Sequence, residues 1–178
     1  MPSPSILIVE DGSIVTSANS YVTYDYALAY HALRGNSAWA LGTVLNQQYA
    51  IIRATQAIDS IYKGKWKGEQ TDYGVQELEW PRSGVTVGSN TIADDAIPAA
   101  IKKSVCEAAL RELETPNSLT PDLERGGEIK RVKADTVEVE YSDGANATTT
   151  FTAIDGLIAD LVSGTSASNI DSYDMVLG

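Results

Sequence analysis

The chain has 178 residues, 43% hydrophobic and 21% charged, which suits one folded domain with a real core. Its formal net charge of −11 disfavours a cationic nucleic-acid binder, and no apolar run approaches the roughly 18–20 residues of a membrane span. The lone cysteine, Cys106, cannot form an internal disulfide, and the opening Met1 to Val9 lacks the basic start and long apolar core of a signal peptide.

Ile6 to Glu10 reads as a short strand, closed by the turn signal Asp11-Gly12. Ser20 or Thr23 can cap a helix to about Arg34, stopped by Gly35, with Tyr24, Leu28 and the Tyr30/His31 pair near one face. Trp39 and Leu41 lead into a longer helix over about 43–62. Leu45, Tyr49, Ile52, Ile58 and Ile61 are expected to form its core stripe.

Residues 63–96 are rich in glycine and turn formers. Within them Trp80-Pro81-Arg82-Ser83-Gly84 predicts a stiff, exposed corner: Pro81 fixes φ, Trp80 is pushed towards extended backbone, and Gly84 permits a turn. A short extended piece follows at Val85 to Val87. Asp94 or Asp95 can cap the next helix, with Pro98 in its first turn and Ile97, Ile101, Val105, Ala108 and Leu113 inward to about Glu114. Glu128 to Lys133 and Thr136 to Tyr141 predict a β-hairpin, the second run alternating Val137, Val139 and Tyr141 with Glu138 and Glu140. A last short helix is expected over 154–162. From Ser163 the chain is too polar to order itself alone.

The resulting expectation is an α+β, mainly α fold: a small bundle of about four helices with an antiparallel β-hairpin at about 127–142. Residues 1–162 form one domain and 163–178 a flexible C-terminal tail. Charge divides along the same lines. Residues 134–178 hold no Lys or Arg but eight acids, whereas all 13 basic residues precede them. Such a stretch is a solvated face, a surface that must not adhere to DNA, or one that meets a basic partner.

A search for chemistry returns little. His31 is the single histidine and sits in a helical stretch; Cys106 follows the inward Val105. One His and one Cys give no zinc or thiolate cluster of useful spacing. The pairs Glu10/Asp11 and Asp94/Asp95 fall at a turn and a helix start, where carboxylates have structural work; Glu77/Glu79 is a third pair. Gly64-Lys65-Trp66-Lys67-Gly68 lacks the phosphate-loop spacing. No catalytic, cofactor or metal site is therefore expected, and the chain is not expected to be an enzyme. One binding motif stands out. Lys63, Lys65 and Lys67 around Trp66 could hold a single strand, with phosphates on the ammonium groups and a base stacked on the indole. Lysines just past a helix end also complement its negative pole.

The order of residues resembles a family. Glu10-Asp11-Gly12, Ala18-Asn19-Ser20-Tyr21-Val22, Ala29-Tyr30-His31 and Arg34-Gly35 open the similarity. It continues through Arg53-Ala54-Thr55, Ile58-Asp59, Trp66-Lys67-Gly68, Leu78 to Val85, Ile97-Pro98, Ile101-Lys102 and the Lys130 to Lys133 hairpin with Tyr141. Over residues 8–161 this is similar to the tailed-phage head–tail connector (adaptor) proteins, often labelled DnaT-like single-stranded-DNA-binding proteins. The Trp-Pro-Arg-x-Gly-Val run is its most specific part.

The resemblance implies a structural virion protein at the head–tail junction, assembled in the bacterial host cytoplasm. Its copies would form a homo-oligomeric ring, usually of twelve, on the portal protein. The ring would offer a platform to a downstream neck or tail-completion protein, and packaged DNA would pass through without specific binding. No membrane is involved. Tyr173, Met175, Val176 and Leu177 would anchor the tail on the portal, its ordering cost met on binding. The alternative is a single-stranded-DNA-binding module using Lys63, Lys65, Trp66 and Lys67.

Overall fold

A computed structural model describes residues 5–120, 132–134, 137–139 and 151–163. Helix α1 (Tyr24–Leu33) starts where the Thr23 hydroxyl accepts the Tyr26 N–H at 3.1 Å, and ends before Gly35, at φ +65°. A short helix α2 (Ser37–Leu41) follows, where the sequence suggested only a lead-in. Helix α3 (Val44–Tyr62) is capped by Thr43, whose hydroxyl accepts the Asn46 N–H at 3.3 Å. Helix α4 (Ala99–Glu114) begins after Pro98, which itself occupies the N-cap. The caps expected from Asp94 or Asp95 are therefore absent: both lie too far upstream to reach the free N–H groups. Helix α5 (Thr152–Ile158) runs into a 3₁₀ turn, Ala159–Leu161.

The strands are short and all antiparallel. Strand β1 (Glu69–Gln70) pairs with β2 (Arg82–Ser83), and β3 (Thr86–Val87) with β4 (Asn90–Thr91). Strand β5 (Val132–Ala134) pairs with β6 (Val137–Val139), with Val132 opposite Val139 and Lys133 opposite Glu138. The fold is α+β and mainly α, with the expected hairpin in place. The N-terminal strand reduces to one parallel bridge, Val9 with Ser20, closed by the Glu10 N–H donating to the Ser20 carbonyl at 2.8 Å.

The core lies where α3 packs along α4 and α5 covers α4. Ile51, Ile58, Ile101, Val105, Ile154 and Ile158 are fully enclosed there. The face of α3 differs from the expected one. Its buried residues include Gln47, Ile51, Ala54, Ile58 and Tyr62, a stripe of period 3.6, whereas Leu45 and Tyr49 are 40% and 44% exposed. Apolar residues occupy both sides of this helix, so periodicity gave the element and not its rotation. On α1 likewise Ala27, Tyr30 and His31 face inward while Leu28 is exposed.

Candidate functional site

The Trp80 corner is interior, which corrects the expected exposed bend. Trp80 is fully buried, Pro81 is buried behind a cis peptide bond, and Arg82 is 8% exposed. Gly84 takes φ +71° at the turn, as expected. The chain could bury this segment because polar partners meet its backbone. The Tyr21 hydroxyl donates to both oxygens of Asp59, at 2.7 and 2.9 Å, and accepts the Trp80 N–H at 3.0 Å. The Glu79 N–H donates to Asp59 Oδ2 at 3.0 Å. Gln76 Nε2 donates to the Leu78 and Pro81 carbonyls at 2.7 and 3.1 Å.

Arg82 closes the other side. Its Nη1 lies 3.0 Å from Glu79 Oε2, Nε donates to the Lys67 carbonyl at 2.9 Å and Nη2 to the Gly68 carbonyl at 2.7 Å. Gly68 is required where β1 meets β2: a Cβ there would stand 2.1 Å from the Ser83 carbonyl oxygen. Burial drives the Asp59 carboxyl up to about 7, opposed by its N–H and O–H donors, and drives the Tyr21 phenol well up as well. Sequence reasoning placed Tyr21 and Asp59 in the family resemblance without giving them a role, and missed Gln76. The available signal was that a buried Trp-Pro corner must find partners for its backbone groups.

Trp66 cannot stack a base. It is 5% exposed, tilted against Tyr62 at 5.4 Å and edge-on to Trp80 at 6.0 Å. The segment after α5 lies over it: the Lys67 N–H donates to the Leu161 carbonyl at 3.0 Å and the Ser163 N–H to the Lys65 carbonyl at 2.7 Å. Lys67 Nζ donates to the Asp160 carbonyl at 2.8 Å, and Lys65 Nζ sits 5.5 Å from the Tyr62 ring centroid. Lys63 and Lys65 are exposed. The motif is thus split, its indole spent on the core and its outer ammonium groups left on the surface.

The other candidates have structural partners. His31 is buried and stacked on Trp39 at 4.1 Å, its Nδ1 lies 3.0 Å from Asn36 Nδ2, and burial pushes its pKa down to about 4. Burial pushes the Cys106 thiol up to about 12. Glu10 is a loop organiser, accepting the N–H groups of Gly12, Ile14 and Val15 at 2.8, 3.1 and 2.9 Å. Glu112 does the same past α4, accepting from Asn117 N–H, Leu119 N–H and Arg53 Nε at 2.6, 3.0 and 3.0 Å. Among the described residues no group of three or more His, Cys, Asp or Glu could hold a metal ion. Tyr173, Met175, Val176 and Leu177 lie outside the described residues.

Among the described residues, clefts and several outward side chains remain. One cleft, of about 220 Å³, is mixed in character and lies beside the Arg53–Glu112 ion pair, with Gln56, Ala57, Ser60, Asn117 and Thr120 around it. The other, of about 290 Å³, is mostly apolar and lies between α1 and α2. Leu33 and Leu41 are each 87% exposed, and Tyr73 and Val75 project from the loop between β1 and β2. Sequence reasoning missed these residues as surface features, because an exposed leucine and a core leucine look alike in a string.

These features define a small, mainly helical α+β protein whose described aromatic and ionisable groups chiefly hold the fold. The chain belongs to the family described as "Putative DnaT-like ssDNA binding protein", whose profile matches residues 6–174. No curated protein and no solved structure matches it.

Proposed function

We propose that this chain is a non-enzymatic assembly subunit that works by protein contact, as a head–tail connector seated on a portal. Copies would form a closed ring there and pass the platform on to a neck or tail-completion protein, with DNA crossing the ring unread. One observation carries this reading: Leu33, Leu41 and Tyr73 point outward while the single aromatic–lysine motif has its ring in the core. Outward apolar side chains favour protein contact, and a net charge of −11 disfavours retention of DNA. The particular virion setting rests on the sequence resemblance over 8–161, with Tyr173, Met175, Val176 and Leu177 as the portal anchor. Removing residues 163–178 should leave the helical domain folded and stop its incorporation at the head–tail junction. Particles of normal composition and infectivity from that truncation would sink the anchoring role.

The family's description favours a second reading, since it names single-stranded DNA and no virion component. In this chain that binding would rest on Lys63 and Lys65 meeting phosphates, without base stacking on Trp66. Fluorescence anisotropy with a labelled oligonucleotide separates the two readings. Binding that falls steeply with salt and is lost on replacing both lysines by glutamate establishes the second; no binding at low salt retires it.

A further inference from the structure

The cleft beside the Arg53–Glu112 ion pair is built to donate hydrogen bonds. Apart from Ala57, every residue that lines it carries a polar side chain: Arg53, Gln56, Ser60, Glu112, Asn117 and Thr120. Its one carboxylate is already occupied. Glu112 Oε1 accepts the Leu119 N–H at 3.0 Å and the Ser118 hydroxyl at 3.4 Å, and Oε2 accepts Arg53 Nε at 3.0 Å and the Asn117 N–H at 2.6 Å. Arg53 spends one edge on this work: beside the Nε bond, Nη2 donates to the Glu112 carbonyl at 2.8 Å. Among the described residues Nη1 has no hydrogen-bond partner, nor have the side chains of Gln56, Ser60, Asn117 and Thr120. A guanidinium pinned along one edge keeps its other donors in a fixed fork. Each of these open groups can donate, so a ligand that only accepts satisfies all of them at once.

Size and register say what kind of acceptor fits. The cleft's volume of about 220 Å³ is below the roughly 300–1,000 Å³ of a small-molecule pocket, so it admits one group of a larger ligand. Arg53, Gln56 and Ser60 are spaced i, i+3 and i+7 along one face of α3, and Lys63 follows seven residues after Gln56 on the same side. Lys63 is exposed, and no carboxylate lies within ion-pair distance of it among the described residues. From Arg53 to Lys63 this face is about 15 Å long at the helical rise, more than a single oxyanion spans. It holds no acid of its own, since Asp59 turns inward to Tyr21. A polymer with a phosphate in every unit matches that face. Its backbone oxygens only accept, and Lys63 meets its charge while Glu112 offsets that of Arg53.

We propose that this cleft seats one backbone phosphate of a single-stranded nucleic acid. Arg53 Nη1, Gln56, Ser60 and Asn117 donate to its oxygens, and Lys63 meets a neighbouring phosphate further along α3. The proposal rests on the single-strand reading and places its centre on the outer face of α3. Recognition is of the backbone, so it carries no base preference.

The test is fluorescence anisotropy of the full chain with a labelled oligothymidine longer than the roughly 4–16 nucleotides of a single-strand site, at low salt. Gln56→Glu and Ser60→Glu put a carboxylate among the donors, and each should weaken binding by about tenfold or more. Gln56→Lys adds a cation and should strengthen binding, a gain that a structural residue would not give. Both positions are exposed, so circular dichroism and urea unfolding should match the wild type. Wild-type affinity in Gln56→Glu and Ser60→Glu, with binding still lost on replacing Lys63 and Lys65, overturns the cleft and leaves the single-strand reading standing. Inorganic phosphate or an acidic peptide that holds the cleft as tightly as the strand overturns the choice of ligand. No binding of the wild type at low salt overturns both the cleft and the reading.

Discussion

Burial and hydrogen bonding pull Asp59 in opposite directions. Its enclosure against the Trp80 corner favours the neutral acid, the Tyr21 and Glu79 donors favour the carboxylate, and burial prevails to bring the group to about 7. An unfolded aspartate titrates near 3.9, so the folded chain holds the extra proton between about pH 4 and 7. The stabilisation from this group is therefore complete below about pH 4 and lost as the pH rises through 7. His31 runs the other way: lowered to about 4, it contributes stability above about 6.5 that is lost as the pH falls towards 4. The two slopes oppose each other, so the wild-type curve alone conceals both. Asp59→Asn removes one of them. Urea unfolding should show the wild type's advantage over Asp59→Asn larger at pH 4.5 than at pH 7.5, by more than about 1 kcal/mol. An advantage that does not change with pH would contradict a raised Asp59.

At the scale of the element, α3 shows what a sequence reveals and what it withholds. Its limits were legible, because Thr43 caps the start and glycine follows the end at Gly64. Its rotation was not. Leu45, Tyr49 and Ile52 form as good a helical stripe as Ile51, Ala54 and Ile58, and only tertiary contact decides which of them meets α4. Polar residues add to the concealment: Gln47 and Gln48 are 2% exposed, since Gln47 Nε2 donates to the Trp39 carbonyl at 2.6 Å and Gln48 Oε1 accepts the Ile6 N–H at 2.7 Å. Two truncations separate the stripes. Ile51→Ala should cost about 2–5 kcal/mol, whereas Leu45→Ala should cost about 1 kcal/mol or less. Equal losses in chemical denaturation would place Leu45 in the core after all. The same ambiguity hid the outward side chains, because Leu33 and Tyr73 differ from core residues in exposure and not in type.

At the scale of the whole molecule, Cys106 offers a reporter of how far the helices act together. It lies in α4, which packs against α3, α5, α1 and α2, and no part of it reaches solvent. With its thiol raised to about 12, almost no thiolate exists at neutral pH even before access is considered. A thiol reagent should therefore react only through opening of α4. Because four helices share that packing, opening should coincide with global unfolding. The modification rate in native buffer should then fall with the same stability that urea titration measures, and Ile51→Ala should raise it in proportion to the lost free energy. Fast labelling of a chain that still resists urea would instead mean that α4 detaches alone.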